Sequence, residues 1–525
     1  MAETLTALPT PAEPPRSHVG QTARNILSNW GGYAFSLALN FFMAPFVVRH
    51  LGDSAYGVWV LLISLTGYLG LLDMGVRGAV TRYVAKFHTA GKDEEASRVG
   101  SSALVIFTIA GGVAVALSVF LALFALRRFF IPPDYFAAAQ IVLAIGGLSV
   151  ATSLIGGVFG GILVGLRRFD IVKGLEVVSA GLRALAIVIL LKAGQGLVAL
   201  ACVQFAFALA TCLVNIWFSF RLFPRLRIRL SACDRPHLRL IVGYSIYSFL
   251  LYVADYLIYY TDMMVIGAFL PVALITFFSI AGSLVKYARG LVSGVSQAIS
   301  PLASALEAQH KTQELRAVTL HASRFATLLV LPCGLTFMLR GSTFIGLWMG
   351  GQYAELAGRV LWILSIPLIL FAGNQVAFSV LFGISKHKVM LPVTLVEAAW
   401  NLAMSLALVS SMGIVGVAWG TAVPSLTINL LFWPWWLRRL LGIPIRSYVV
   451  SIWVRPALAM VPFALCTYAI EKFWPVENLG VFFVQVGMAL PLAVLGAWFV
   501  CLTRWERQTY AQRLVIPFWR VFGSA

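Results

Sequence analysis

The chain has 525 residues, of which 60% are hydrophobic and only 11% charged. A soluble domain carries charge on about a quarter of its residues. Here the apolar residues run in blocks rather than stripes, which excludes a soluble enzyme and points to an all-α polytopic membrane protein. The net charge of +19 fits that class, because Lys and Arg collect in cytoplasmic loops; no nucleic-acid partner is implied.

Residues 1–23 are rich in Pro, Thr and Ala and lack a basic segment followed by an apolar core. They read as a cytoplasmic tail with no cleavable signal. About fourteen spans of bilayer length follow. Six fall within 24–220, near 28–48, 57–80, 101–126, 137–166, 175–191 and 197–220. A basic linker, 221–239, separates them from six more within 240–437, near 240–267, 272–302, 326–338, 360–382, 390–412 and 414–436. Arg340 cuts the ninth short and is read as part of an outer loop. Two further spans occupy 438–502, and 503–525 reads as an amphipathic tail on the cytoplasmic surface. With the N-terminus in the cytoplasm, most of the 39 Lys and Arg fall on the cytoplasmic side, which places both termini there.

The second span ends in Leu72-Asp73-Met74-Gly75-Val76-Arg77-Gly78-Ala79-Val80, and the eighth holds Leu291-Val292-Ser293-Gly294-Val295-Ser296-Gln297-Ala298-Ile299. Leu, Gly, Val and Ala align in the same order. An even-numbered repeat of six spans leaves both copies pointing the same way, as two lobes around a central cavity.

Ionisable residues inside spans are costly and tend to mark a pathway. Lys286 and Arg289, three apart on the eighth span, share a face; they either line a cavity or form structural pairs. Arg183 lies midway along the fifth span, and Asp73 at similar depth offers a partner. Asp73 and Arg77, four apart, suit a helical ion pair or a substrate contact. Asp255 and Asp262 share a face of the seventh span, with Asp255 near the depth of Lys286 and Arg289. They read as counter-ions or as sites of proton or sodium coupling, and Glu397 and Asn401 on the eleventh span are placed to join Asp255. Asn374 and Gln375 read as helix-packing groups, as do the glycines from Gly156 to Gly165. No metal-ligand spacing, catalytic cluster or nucleotide-binding loop is present in the sequence, so neither a metal site nor a cofactor is expected.

Pro45, Arg49-His50-Leu51-Gly52, Tyr56-Gly57-Val58-Trp59, Leu72-Asp73-Met74-Gly75 and Arg82-Tyr83-Val84-Ala85 form an ordered series. It resembles the N-terminal signature of the polysaccharide transport family of oligosaccharide flippases. That family belongs to a superfamily shared with lipid II flippases and multidrug and toxin extrusion antiporters. The resemblance implies two six-helix lobes in a pseudo-two-fold V plus two C-terminal helices. It implies a polyprenyl-pyrophosphate-linked oligosaccharide moved from the cytoplasmic to the periplasmic leaflet of a bacterial inner membrane, for exopolysaccharide, O-antigen or capsule export.

On that reading Arg77, Lys286 and Arg289, with Arg183 second, would meet the pyrophosphate, and Asp73 would orient Arg77. Asp255 and Glu397 would carry coupling to Na+ or H+, since lipid II flippases build a cation site from the corresponding spans. Membrane lipids, a polysaccharide polymerase and export machinery are the expected partners. Two rivals stand beside this reading: a cation-coupled multidrug exporter of the same superfamily, and a membrane polysaccharide polymerase or ligase, which would need a substantial outer loop with catalytic groups.

Overall fold

The computed structural model describes residues 17–502 and 506–508. The expected tails, 1–23 and 503–525, therefore lie largely outside the described residues. Helix α1 (Ser17–Leu51) begins inside the segment expected to be a tail. The second span is two helices, α2 (Asp53–Leu69) and α3 (Val76–Thr89), joined by a tight turn over Gly70–Asp73. Helices α4 (Asp93–Phe120), α5 (Pro133–Gly165), α6 (Phe169–Lys192) and α7 (Leu197–Leu222) complete the first group.

The second group is α8 (Arg235–Phe269), α9 (Ala273–Ala308), α10 (Thr312–Trp348), α11 (Gly351–Gly383) and α12 (Met390–Thr427), with α13 (Trp433–Leu441) prolonging α12. Short helices α14 (Ile445–Val449) and α15 (Arg455–Ala459) lead through α16 (Val461–Phe473) to α17 (Leu479–Gly496).

Eleven helical segments among the described residues are long and apolar enough to cross a bilayer. One of them, Met390–Leu441, is a hairpin. Gly413 turns the chain at φ 61°, and a Cβ at Gly416 or Gly420 would strike Leu408 or Ser405 of the facing arm. Helices α8 and α9 have spanning length but carry Asp255, Asp262, Lys286 and Arg289 in mid-helix. With the hairpin counted as two crossings, these additions give the expected fourteen. The chain is a multi-pass membrane protein.

The packing repeats. In the first group α5 lies against α4 and against α2 and α3; in the second, α11 lies against α10 and α9. These are the two lobes. They meet at the end of the helices that carries the shorter, less basic loops. There Gly57 is needed for close approach, because a Cβ would sit 2.0 Å from the Val272 carbonyl oxygen. Thr276 donates to the Asp53 carbonyl at 2.7 Å, Trp348 Nε1 donates to the Phe41 carbonyl at 2.9 Å, and Tyr353 donates to the Asp53 carboxylate.

At the opposite, basic end, the side-chain hydrogen bonds between the lobes gather on the start of α8. His237 is buried between Asp234 (2.5 Å) and Glu95 of α4 (2.8 Å), and Arg98 reaches Asp234 at 3.6 Å. Burial pushes the Asp234 carboxyl up, but the His237 hydrogen bonds and the Arg98 charge outweigh it and hold the group below the usual carboxylate range. The lobes are thus closely packed at one end, the joined end, and linked at the other through the start of α8.

Arg340 departs from the sequence reading. It is not in an outer loop but inside α10, fully buried, where the backbone kinks. Its guanidinium donates to Glu471 of α16 (2.5 Å) and to Gln485 of α17 (2.6 Å), and stacks over Phe482 at 4.6 Å. The ninth span runs through Arg340 because the C-terminal helices neutralise it. Removing one partner of a buried pair costs about 3–5 kcal/mol, whereas replacing both by apolar groups is often near neutral. Glu471→Ala is expected to lower the thermal midpoint of the detergent-solubilised protein sharply, and Arg340→Met with Glu471→Leu to restore most of it. Equal midpoints for Glu471→Ala and the native protein would refute the pairing.

Candidate functional site

In the first lobe the site grows from the break in the second span. Met74 (φ 47°) and Gly75 (φ 75°) are both left-handed, a conformation that is costly for methionine. The break ends one helix and starts α3 within the span, leaving backbone N–H groups of its first turn without helical partners. Asp73 fills that position: its carboxylate lies 3.5 Å from the Arg77 backbone N and 3.5 Å from the Arg77 guanidinium. Arg77 also donates to the Ser153 carbonyl of α5 at 3.4 Å, and half of its side chain remains exposed. Asp73 thus pairs with Arg77 and not with Arg183. Arg183 is exposed with no ion-pair partner among the described residues. On α6 it shares a face with Lys173 and Glu176, on the side opposite the exposed apolar stripe of Val178, Leu182, Leu185 and Ile189.

In the second lobe, exposure singles out two residues. Among the described residues of α9 from Ala273 to Ser300, Lys286 alone is exposed; among those of α8 from Val253 to Ala268, Asp255 alone is exposed. Both lie about 20 Å along their helices from the joined end. Lys286 has no ion-pair partner among the described residues. An exposed charge at this depth is far more stable against water than against acyl chains, which makes these two side chains the candidates for a wet space between the lobes.

Arg289 departs from the expectation that it works beside Lys286. It is turned inward, 4.4 Å over the Phe371 ring of α11 and within electrostatic reach of Asp255 and Glu397. Glu397 accepts a hydrogen bond from Ser425. Helices α8, α9 and α12 therefore bring Asp255, Arg289 and Glu397 into one acid–base cluster. Asp262 is not in it. It is buried one layer nearer the joined end, accepting from Thr421 at 2.8 Å. Asn401 is likewise buried, and its side-chain amide makes no hydrogen bond among the described residues. Asn374 is a packing group, bonded to Asn429 at 2.7 Å and to the Tyr448 hydroxyl.

Sequence reasoning missed the aromatic groups beside the site. Tyr256 and Tyr260 of α8 stack at 4.6 Å with planes 12° apart, and a Cβ at Gly67 of α2 would meet both rings at 3.3–3.4 Å. Tyr68 bonds the Tyr256 carbonyl at 3.3 Å and the Thr261 hydroxyl. This seam closes the cleft between Asp255 and the joined end. From the other flank Tyr33 of α1 reaches the Tyr287 carbonyl at 3.0 Å and fills the space a Cβ at Gly290 would need. The i, i+4 spacing of Tyr256 and Tyr260 was the available signal, since it places two rings on one helix face. A separate cavity of about 890 Å³, between α5, α6 and α7 and including His50 and Gln195, touches none of these charges.

The sequence profile of the polysaccharide biosynthesis protein family matches residues 46–358. The chain belongs to this family. As such a family member, it is 24% identical over 438 residues to the probable low-salt glycan biosynthesis flippase Agl15 of Haloferax volcanii, covering 80% of this chain and 84% of that one. Its fold is similar to that of a solved structure of the lipid II flippase MurJ, determined in an inward closed conformation, with a TM-score of 0.71, 13% identity, and coverage of 93% of this chain and 99% of that one. An inward-facing multidrug resistance MATE transporter of the MOP superfamily is similar at a TM-score of 0.66 and 17% identity, over 78% and 94% of the two chains. The two-lobe architecture with extra C-terminal helices, expected from the N-terminal signature, is the architecture found.

Cleft-facing side chains can be told from buried ones by chemistry. In a background without the six native cysteines, Lys286→Cys and Asp255→Cys are expected to react with a membrane-impermeant thiosulfonate within minutes, and Asp262→Cys to stay unmodified. Protection of Lys286→Cys in open membranes would place that side chain in lipid or in a dry core.

Proposed function

We propose that the protein is a flippase that carries a polyprenyl-pyrophosphate-linked oligosaccharide from the cytoplasmic to the periplasmic leaflet of a bacterial inner membrane, by alternating access between its two lobes. The lobes are residues 24–220 and 240–437, with the basic face and both termini on the cytoplasmic side. The observation that carries the reading is Lys286: an exposed cation at mid-depth with no acid beside it among the described residues. Such a group is stable only against water or an anion, and the one part of a lipid-linked sugar that must pass that depth as an anion is its pyrophosphate.

Arg77 and Arg183 supply further cations at other heights. Arg suits phosphate because its planar fork binds two oxygens at once, while Lys acts as a point charge. Three of the four cleft-facing charges are positive, which suits an anionic cargo better than a lipophilic cation. The glycan would ride in the water-filled cleft, with the prenyl chain in lipid. Arg289 has a different part: it neutralises Asp255 and Glu397, so that Na+ or H+ arriving at those carboxylates would free it to move toward the cargo. Transport by this scheme needs no covalent chemistry. Membrane lipids and a polymerase or export partner complete the expected setting.

Leaflet-resolved measurement of the lipid-linked sugar in a deletion strain tests the assignment. The precursor is expected to accumulate on the cytoplasmic face. Complementation by Lys286→Ala should fail by about tenfold or more, the loss expected when a charge-assisted phosphate contact of about 1.5–3 kcal/mol is removed. Unchanged leaflet distribution in the deletion strain, or full export by Lys286→Ala together with Arg77→Ala, would end the proposal. Glu397→Gln, which keeps shape but not charge, is expected to slow export while leaving the precursor bound. An export rate identical to native would remove Glu397 from coupling.

A further inference from the structure

The glycines of α5 look alike in sequence but face different neighbours. A Cβ at Gly156 would meet Cys212 of α7 at 3.1 Å, and one at Gly160 would find only Asn215 Nδ2, at 3.6 Å. On the side facing α3, a Cβ at Gly161 or Gly165 would meet the backbone carbonyl oxygen of Arg77 or Thr81 at 3.2 or 3.1 Å. These four serve helix packing, as small residues do between spans. Gly157 is different. The three atoms nearest to a Cβ there all belong to the Arg77 guanidinium: Nη2 at 2.8 Å, Nε at 2.9 Å and Cζ at 3.2 Å.

We propose that Gly157 is a positioning residue for Arg77. The bare backbone at 157 gives the guanidinium a seat on α5. The Ser153 carbonyl one turn away accepts from Nη2 at 3.4 Å, and Asp73 holds the group from the other side at 3.5 Å. Two fixed acceptors and one missing side chain set where the fork lies, with half of the side chain still open to the cleft. A methyl group at 157 strikes the end of a flexible side chain rather than a backbone. The α3–α5 contact therefore survives it, while the guanidinium is pushed off its acceptors. At Gly161 or Gly165 the same methyl would press on backbone and loosen the helix pair instead. A displacement of an ångström in a binding group is enough to cost an order of magnitude or more.

The inference rests on the reading of Arg77 as a pyrophosphate ligand, and the test separates the two. The full-length protein in lipid nanodiscs is titrated with farnesyl pyrophosphate as probe, and its thermal midpoint is recorded. Gly157→Ala is expected to weaken binding about tenfold with an unchanged midpoint, and Gly160→Ala to alter neither. In an Arg77→Lys background the slimmer ammonium clears the methyl, so adding Gly157→Ala should cost less than about twofold.

Equal losses in both backgrounds, or no loss in the native one, would overturn the positioning role. Should Gly157→Ala alone fail to fold, the Arg77→Lys combination is expected to recover the fold, and its failure to do so would also overturn it. If Arg77→Ala binds the probe as tightly as the native protein, Arg77 itself leaves the site and the positioning role goes with it. A weaker Arg77→Ala beside an unaffected Gly157→Ala sinks the positioning role alone.

Discussion

A charge inside a bilayer must be matched by a partner or kept wet, and that constraint sorts nearly every ionisable group between the ends of these helices. Arg340 is matched, held by Glu471 and Gln485. Arg324, also buried, is matched by Glu506 at 2.7 Å and the Cys501 carbonyl at 2.8 Å. Asp262 is matched by Thr421. What remains exposed at depth is Arg77, Arg183, Asp255 and Lys286. The same rule that holds the scaffold together therefore singles out these four as candidates for the proposed pathway, because leftover charges are best tolerated where water or cargo reaches them.

The two lobes solve the problem differently. The first breaks a helix at Met74 and Gly75 and places Asp73 and Arg77 at the fracture. The second keeps α9 continuous and sets Arg289 against two carboxylates from neighbouring helices. The residues of α9 that align with Asp73 and Arg77, Val292 and Ser296, are both buried. A repeat in architecture has not produced a repeat in chemistry, and cations from the two lobes stand at different heights along the cleft.

The spans were legible because hydropathy and helix length are local properties, and so was the depth at which Asp255, Arg289 and Glu397 meet, since rise per residue is constant. Several features were not. The break at Met74–Gly75 lies among apolar and small residues that read equally well as unbroken helix. Arg340 looked like a loop residue because its partners Glu471 and Gln485 are more than a hundred positions away. The difference between Lys286, exposed, and Arg289, turned inward over Phe371, is a matter of about 60° around one helix, which only the neighbouring helices resolve. The glycines of α5 failed in the same way: spacing shows that small residues are wanted, but not that one of them faces a guanidinium.

Helix α10 is riveted to the C-terminal segment at two points along its length, through Arg340 to α16 and α17 and through Arg324 to residues 501 and 506. In the proposed alternating-access cycle that segment would have to move with the second lobe. Each stroke of the proposed cycle would then draw two additional helices through the acyl chains. The stiffness and fluidity of the surrounding lipid would then enter the work of that cycle directly.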